Sequence, residues 1–336
     1  GGGGIGVSRQ DILVHPDDLT LVRAEIARNY SGLNGGGGIA IDSGNATIRD
    51  SYIHDNIAGG AGGGLNLFNA TKLPVVLIEG SLIAGNISGA NEDGSSPAIP
   101  TGSGGGVRNT HGVLTVLNST ITGNDARGVL IEVGPGIPPI RSSGFGGGLA
   151  DSGATGTEPI GMIVNSTIAY NVGVSASQLW DFSSAAGSPL GLANTIVAGT
   201  GLADAAPNCG KNGPKDGFKS LGGNLSSDAS PCRFLEPTDM TGVAALGLDM
   251  TLADNGGETD TLALMEGSPA IGFGVEDHCP ETDQRGVARK AKCDAGAFER
   301  VHALDALRMS LEEAVQIPDS DLGGFVTQIR ALAGLP

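Results

Sequence analysis

The chain has 336 residues, and its 36 acidic side chains against 19 Lys and Arg leave a formal charge of −17. That sign argues against nucleic acid and anionic membrane surfaces as partners, and it weighs against polyanionic substrates unless a local basic patch overrides it. Gly supplies 58 residues without a collagen triplet and aromatics only 4%, so a core has to be built from stacked Ile, Leu and Val.

From the N-terminus onward, one phrase repeats. Its glycine half is Gly2–Gly4 before Ile5, Gly36–Gly38 before Ile39, Gly62–Gly64 before Leu65, Gly104–Gly106 before Val107 and Gly146–Gly148 before Leu149. Its second half alternates apolar residues and then closes on Ile-x-x-Asn. Leu19–Leu21 leads to Ile26 and Asn29, Ala46–Ile48 to Ile53 and Asn56, and Val76–Ile78 to Ile83 and Asn86. Leu114–Val116 leads to Ile121 and Asn124, and Gly161–Ile163 to Ile168 and Asn171. A sixth, degenerate copy runs from Leu190–Leu192 to Val197, with Thr200 in place of asparagine. Self-similarity at such a period means stacked repeats. The chain opens at Gly1 inside a repeat, which predicts residues upstream and a cover for the first coil.

Each repeat carries three short alternating pieces, in the second coil Ile39–Ile41, Ala46–Ile48 and Ser51–Ile53. Inward and outward side chains at period two, wound three strands to a turn, describe a right-handed parallel β-helix. About six coils at ~4.8 Å each rise roughly 29 Å. The closing asparagines belong at a corner, where they can bond up and down the stack as a ladder. Asn-x-Ser/Thr matches at Asn29, Asn45, Asn69, Asn86, Asn118, Asn165 and Asn224 read as by-products of this phrase, not as glycan acceptors.

Gaps between repeats are short at Tyr30–Gly35 and Ile57–Ala61. They swell at Ile87–Ser103, Asp125–Phe145 and Val172–Ser188. All three enlargements are expected to leave from one corner and line one flank, where long loops tend to carry function. The repeat region spans residues 1–200, a loop-rich cap 201–300 and a helical segment 301–336. In the last, Leu304, Leu307, Leu311 and Val315 have helical spacing, and a second short helix is expected over Leu322–Leu332.

Four cysteines, Cys209, Cys232, Cys279 and Cys293, allow three pairings. The nearest-neighbour pairing would staple two polar loops, and disulfides would imply an oxidising compartment and export. Free or metal-binding thiols are the alternative, although no Cys-x-x-Cys is present for zinc.

The segments Asn194–Gly199, Leu252–Gly257 and Gly267–Ile271, with Cys279-Pro280-Glu281-Thr282-Asp283-Gln284-Arg285-Gly286 and Cys293-Asp294-Ala295-Gly296-Ala297-Phe298-Glu299, form a distinctive set. It resembles the bacterial choice-of-anchor Q proteins over about residues 1–300. The resemblance implies an exported right-handed parallel β-helix, surface-anchored or secreted and adhesin-like, and it carries over no catalytic residues.

Two clusters hold candidate chemistry. Arg108, His111 and Asp151 lie beside the swollen loops, with Asn66 one coil earlier; a cation, a base and a carboxylate suit β-elimination on a uronic acid. An Arg108–Asp151 surface ion pair is the plainer reading. Asp50, His54 and Asp55 near Tyr52 offer paired carboxylates for glycoside hydrolysis if they share a face. Asp125, Arg127, Tyr170, Trp180 and Asp181 lie in or beside inserted loops, where the single tryptophan could stack on a sugar or anchor its loop. No cofactor is expected; calcium is the one candidate metal, on loop acids such as Glu92, Asp93, Asp204 and Asp216, which lack EF-hand spacing.

The expected function is an extracellular or cell-surface scaffold, adhesin-like or structural, binding polysaccharide or another surface component along the loop-lined flank. The alternative is a polysaccharide lyase, ahead of a glycoside hydrolase, using the same flank.

Overall fold

The structure is a computed structural model. It describes residues 3–7, 18–33, 35–42, 44–68, 73–93, 95, 102–126, 129–131, 140–142, 144–152, 160–182, 189–199, 206–212, 217–229 and 232–301. The expected C-terminal helices, Asn69, Arg127, Asp204 and Asp216 lie outside the described residues. Residues 1–299 form one compact unit and residues 300–336 a second.

The first unit is a parallel β-helix. Three sheets of seven parallel strands stack in register. The first sheet holds Ile5–Val7, Ile39–Ile41, Leu65–Phe68, Val107–Thr110, Leu149–Asp151, Leu179–Asp181 and Cys209–Lys211. The second holds Leu19–Val22, Ala46–Arg49, Val75–Glu79, Val113–Leu117, Gly161–Val164, Leu190–Ala193 and Phe218–Ser220. The third holds Glu25–Ala27, Tyr52–His54, Leu82–Ala84, Thr120–Thr122, Thr167–Ala169, Ile196–Ala198 and Leu225–Ser226. A fourth ladder of five two-residue strands, from Tyr30–Ser31 to Val172–Gly173, follows the asparagine corner. Strands that short leave no periodic trace in the sequence.

The repeated isoleucine makes the core. Ile26, Ile53, Ile83, Ile121, Ile168 and Val197 lie rung over rung, and all but the first are fully buried. Each such side chain contributes roughly 1.5–3 kcal/mol of burial free energy.

The asparagines form the expected ladder. The Nδ2 of Asn29, Asn56, Asn86 and Asn124 each donates to the Oδ1 of the next asparagine at 2.9 Å. A serine ladder, not anticipated, runs beside it. The backbone N–H of Ser51 donates to Ser81 Oγ, that of Ser81 to Ser119 Oγ and that of Ser119 to Ser166 Oγ, at 3.1–3.3 Å.

Val172–Ser188 is not an insertion. It contains a complete first-sheet strand, Leu179–Asp181, paired to Leu149–Asp151. Gln178 stands there where earlier rungs carry glycine, and its Oε1 accepts from Asn171 Nδ2 at 2.7 Å, continuing the ladder. One rung on, Asn208 bonds the Val197 carbonyl at 3.1 Å, as Asn171 bonds that of Ile121. The glycine signature therefore fails where its position has taken over the missing asparagine's role, and the rungs number seven. The two gaps that remain enlarged leave from one corner, as expected. Ile87–Ser103 and Asp125–Phe145 both lie between the fourth ladder and the first sheet.

Residues 240–299 turn back along the outer face of the third sheet. Thr259 Oγ1 donates to the Gly80 carbonyl at 3.1 Å, Thr120 Oγ1 to Gln284 Oε1 at 2.6 Å, and Ala297 N–H to Thr167 Oγ1 at 3.0 Å. Leu246, Leu248, Leu262 and Leu264 pack with Ala169, Ile196 and Ala198 as a second core outside the coil.

The closing motif is the latch of this segment. Arg289 pairs with Glu299 at 3.2 Å, both side chains 1% exposed. It also donates to Asn118 Oδ1 at 3.0 Å and to the Gly296 carbonyl at 2.8 Å. Arg285 bonds Asp283 at 2.7 Å and lies 3.6 Å over the Phe298 ring. Asn118 and Asn165 hold Thr282 and Asp294 carbonyls at 2.7 and 3.0 Å, which gives two of the apparent glycan acceptors a structural role. Both nearest-neighbour disulfides form: Cys209–Cys232 with Cα atoms 5.0 Å apart, and Cys279–Cys293 at 5.9 Å.

Candidate functional site

The flank around the first sheet holds the first expected cluster. Asn66 and Arg108 are register partners on its outward face. Arg108 donates to Ser152 Oγ at 2.7 Å and to the Asn109 carbonyl at 3.3 Å, and its guanidinium lies 4.5 Å over the Phe182 ring. Burial pushes its pKa down to about 10, against the pull of the Asp151 charge, so it remains a cation at neutral pH. Asp151 alternates to the inside. It is 1% exposed and accepts the Asn109 amide at 2.7 Å. His111 occupies an exposed turn with φ 96°, without a hydrogen-bond partner among the described residues. The three therefore occupy the outer face, the interior and a turn, not one cleft.

Trp180 lies on a strand, not in an inserted loop. It is 8% exposed and packs with Phe145 and Phe182 at ring-centroid distances of 4.8 and 5.9 Å, so it anchors a small aromatic core. Asp181 faces inward in register with Asp151 and is fully buried. Asp125 sits in the fourth ladder between Ile87 and Val172. Asn66 is buried, and its Oδ1 has no hydrogen-bond partner among the described residues.

The second cluster separates in an informative way. Asp50 and Asp55 take φ of 50° and 53° at the two corners that bracket Tyr52–His54, so they are not a pair. Burial raises the Asp50 pKa, opposed by Arg23. Asp55 belongs to a column of left-handed corner residues: Arg28, Asp55, Gly85, Gly123 and Tyr170, with φ between 53° and 63°. Five successive rungs share that backbone geometry there, and in two of them glycine supplies it without a side chain. A gap opens between Asp55 and Tyr170.

The returning segment walls this gap. The resulting groove encloses about 470 Å³, with Ala84, Gly85, Thr122 and Gly123 as its floor. Tyr52, His54 and Asp55 stand at one end, Tyr170 at the other, and Met250, Thr251, Leu252 and Leu262 along the side. From the rung of Tyr52 to that of Tyr170 is three rung spacings, about 14 Å.

His54 links two carboxylates, Nε2 to Glu25 Oε1 and Nδ1 to Asp55 Oδ2, both at 2.9 Å. Its ring centroid lies 4.2 Å from that of Tyr52. Burial raises the Tyr52 phenol pKa, helped by Asp260, Asp55 and Glu25. The Tyr170 phenol is raised by burial and Asp249, and its Oη donates to the Leu248 carbonyl at 3.4 Å.

No family model, curated protein or solved structure matches the chain.

Of the expected site residues, only Tyr170 lines this groove, together with Tyr52, His54 and Asp55 from the second cluster. The side wall was not anticipated, because its residues reach the third sheet from about 80–200 positions away. Among the described residues, no three His, Cys, Asp or Glu converge as metal ligands. The groove combines aromatic edges, carboxylate and hydroxyl acceptors and a smooth glycine floor, a surface suited to holding a polyhydroxylated chain.

Proposed function

We propose that this chain is an exported, non-catalytic surface protein, adhesin-like in the sense of the choice-of-anchor Q resemblance, that binds carbohydrate. The binding place differs from the sequence expectation: it is the groove on the third sheet, not the loop-lined flank. The observation that carries the reading is the groove itself, bounded by Tyr52 and Tyr170 and floored by Gly85 and Gly123. Export is supported by the two disulfides, which persist in oxidising compartments. No helix among the described residues is long and apolar enough to cross a membrane.

The lyase alternative has less support, since it requires cation, base and carboxylate around one reacting carbon. Asp151 is buried inside the coil, and His111 has no hydrogen-bond partner among the described residues.

A polysaccharide panel tests both classes. Binding without new unsaturated uronyl absorbance or reducing ends is the expected result, weakened in Tyr52→Ala. Turnover that disappears in Arg108→Ala or His111→Ala would replace the scaffold reading with the enzyme.

A further inference from the structure

Charge around the groove narrows what it can hold. Asp55 is at its rim, Glu25 is tied to it through His54, Asp260 lies near Tyr52 and Asp249 near Tyr170. Among the described lining residues the only basic one is His54, and both its nitrogens already face carboxylates. Arg28 is one rung beyond Asp55 and outside the lining, and Arg23 is taken by Glu258 at 3.0 Å. The side chains of Asp55 and Glu25 are 55% and 63% exposed, so they remain open to a ligand.

We propose that the groove selects a cationic saccharide, a hexosamine chain bearing free amino groups, over its N-acetylated and uronic acid counterparts. The inference rests on the carbohydrate-binding reading and adds the charge of the sugar. Tyrosine faces accept both the apolar face of a pyranose and an ammonium group. A carboxylate at the rim forms charge-assisted hydrogen bonds with an amine that an acetamide cannot make. A uronate would instead meet the Asp55 carboxylate at the rim, with Glu25, Asp260 and Asp249 adding like charge nearby. The glycine floor is what admits the chain: a Cβ at Gly123 would have only the Gly85 nitrogen, 3.9 Å away, as a neighbour, so a side chain there would project into free space. Asparagine is among the side chains that best tolerate the left-handed backbone of that corner, making Gly123→Asn a plug at the cost of modest backbone strain.

The test is calorimetric titration of the intact chain with glucosamine oligomers, the matching N-acetylglucosamine oligomers, oligogalacturonate and a linear polyamine. Binding of the glucosamine oligomer is expected to exceed that of its acetylated form by about tenfold, the value of one lost charge-assisted contact. It should weaken as salt rises. Asp55→Asn should erase the preference, and Gly123→Asn should abolish binding while keeping a cooperative melt only slightly below that of the parent chain. Equal affinity for free and acetylated oligomers, or preference for the uronate, overturns the charge proposal and leaves a carbohydrate groove. Failure of every saccharide overturns both. Polyamine and amino-sugar binding that survives both substitutions is non-specific attraction to a chain of charge −17, and also overturns the proposal.

Discussion

Asn86 accepts the backbone N–H and the Nδ2 of Asn56 at 3.1 and 2.9 Å. It donates to the Ile53 carbonyl and to Asn124 Oδ1, both at 2.9 Å, and is fully buried. Removing it strands several polar groups away from water. Asn86→Ala should therefore cost about 3 kcal/mol or more, read as a lowered urea midpoint. Asn86→Asp, of the same size, should be no better, because a carboxylate cannot donate to the two acceptors. A second test at this scale concerns Tyr52 and Tyr170. Their folded pKa values are raised above 10, so their contribution is complete below pH 10 and lost as pH climbs through the folded values, where the unfolded chain ionises first. Phenolate absorbance should show both titrating late, with Asp55→Asn bringing the Tyr52 transition earlier. An unmoved transition would detach Asp55 from the groove's field.

At the scale of strands and corners, Gln178 is the informative position. Restoring the repeat's own glycine there would improve the match to the phrase, yet Gln178→Gly removes the acceptor of the Asn171 N–H and Nδ2. A loss of about 1–3 kcal/mol in thermal or urea unfolding is expected. Three strands per coil and the asparagine ladder were legible because alternating apolar pieces recur and Ile-x-x-Asn closes each of the first five copies at the same corner. The sixth and seventh first-sheet strands were not, because Gln178 and Asn208 replace the glycine that marked the others. The latch offers a further check. Arg289→Ala uncouples a buried ion pair and frees the Asn118 and Gly296 acceptors, and should cost about 3–5 kcal/mol. Replacing Arg289 and Glu299 together with Met and Leu should cost less than the single change, since no lone charge is left buried. The reverse order in chemical denaturation would contradict the latch.

In the whole molecule, the coil supplies a ruled surface and the returning segment turns part of it into a groove. Neither half carries the site alone. Tyr52, His54 and Asp55 were visible in the sequence as a cluster, but nothing in the repeated phrase marked Gly85 and Gly123 as a floor, and Met250–Leu252 fell within the loop-rich cap. Contacts such as Thr120 with Gln284, 164 residues apart, leave no periodicity to read. The flank favoured by loop length instead holds a buried aromatic cluster around Trp180. Hydrogen–deuterium exchange with and without glucosamine oligomers separates the two faces most directly. Slowed exchange in peptides containing Tyr52–Asp55, Gly123 and Asp249–Leu252, with 103–111 and 145–152 unchanged, is the predicted outcome. Slowing confined to 103–111 and 145–152 would contradict the account.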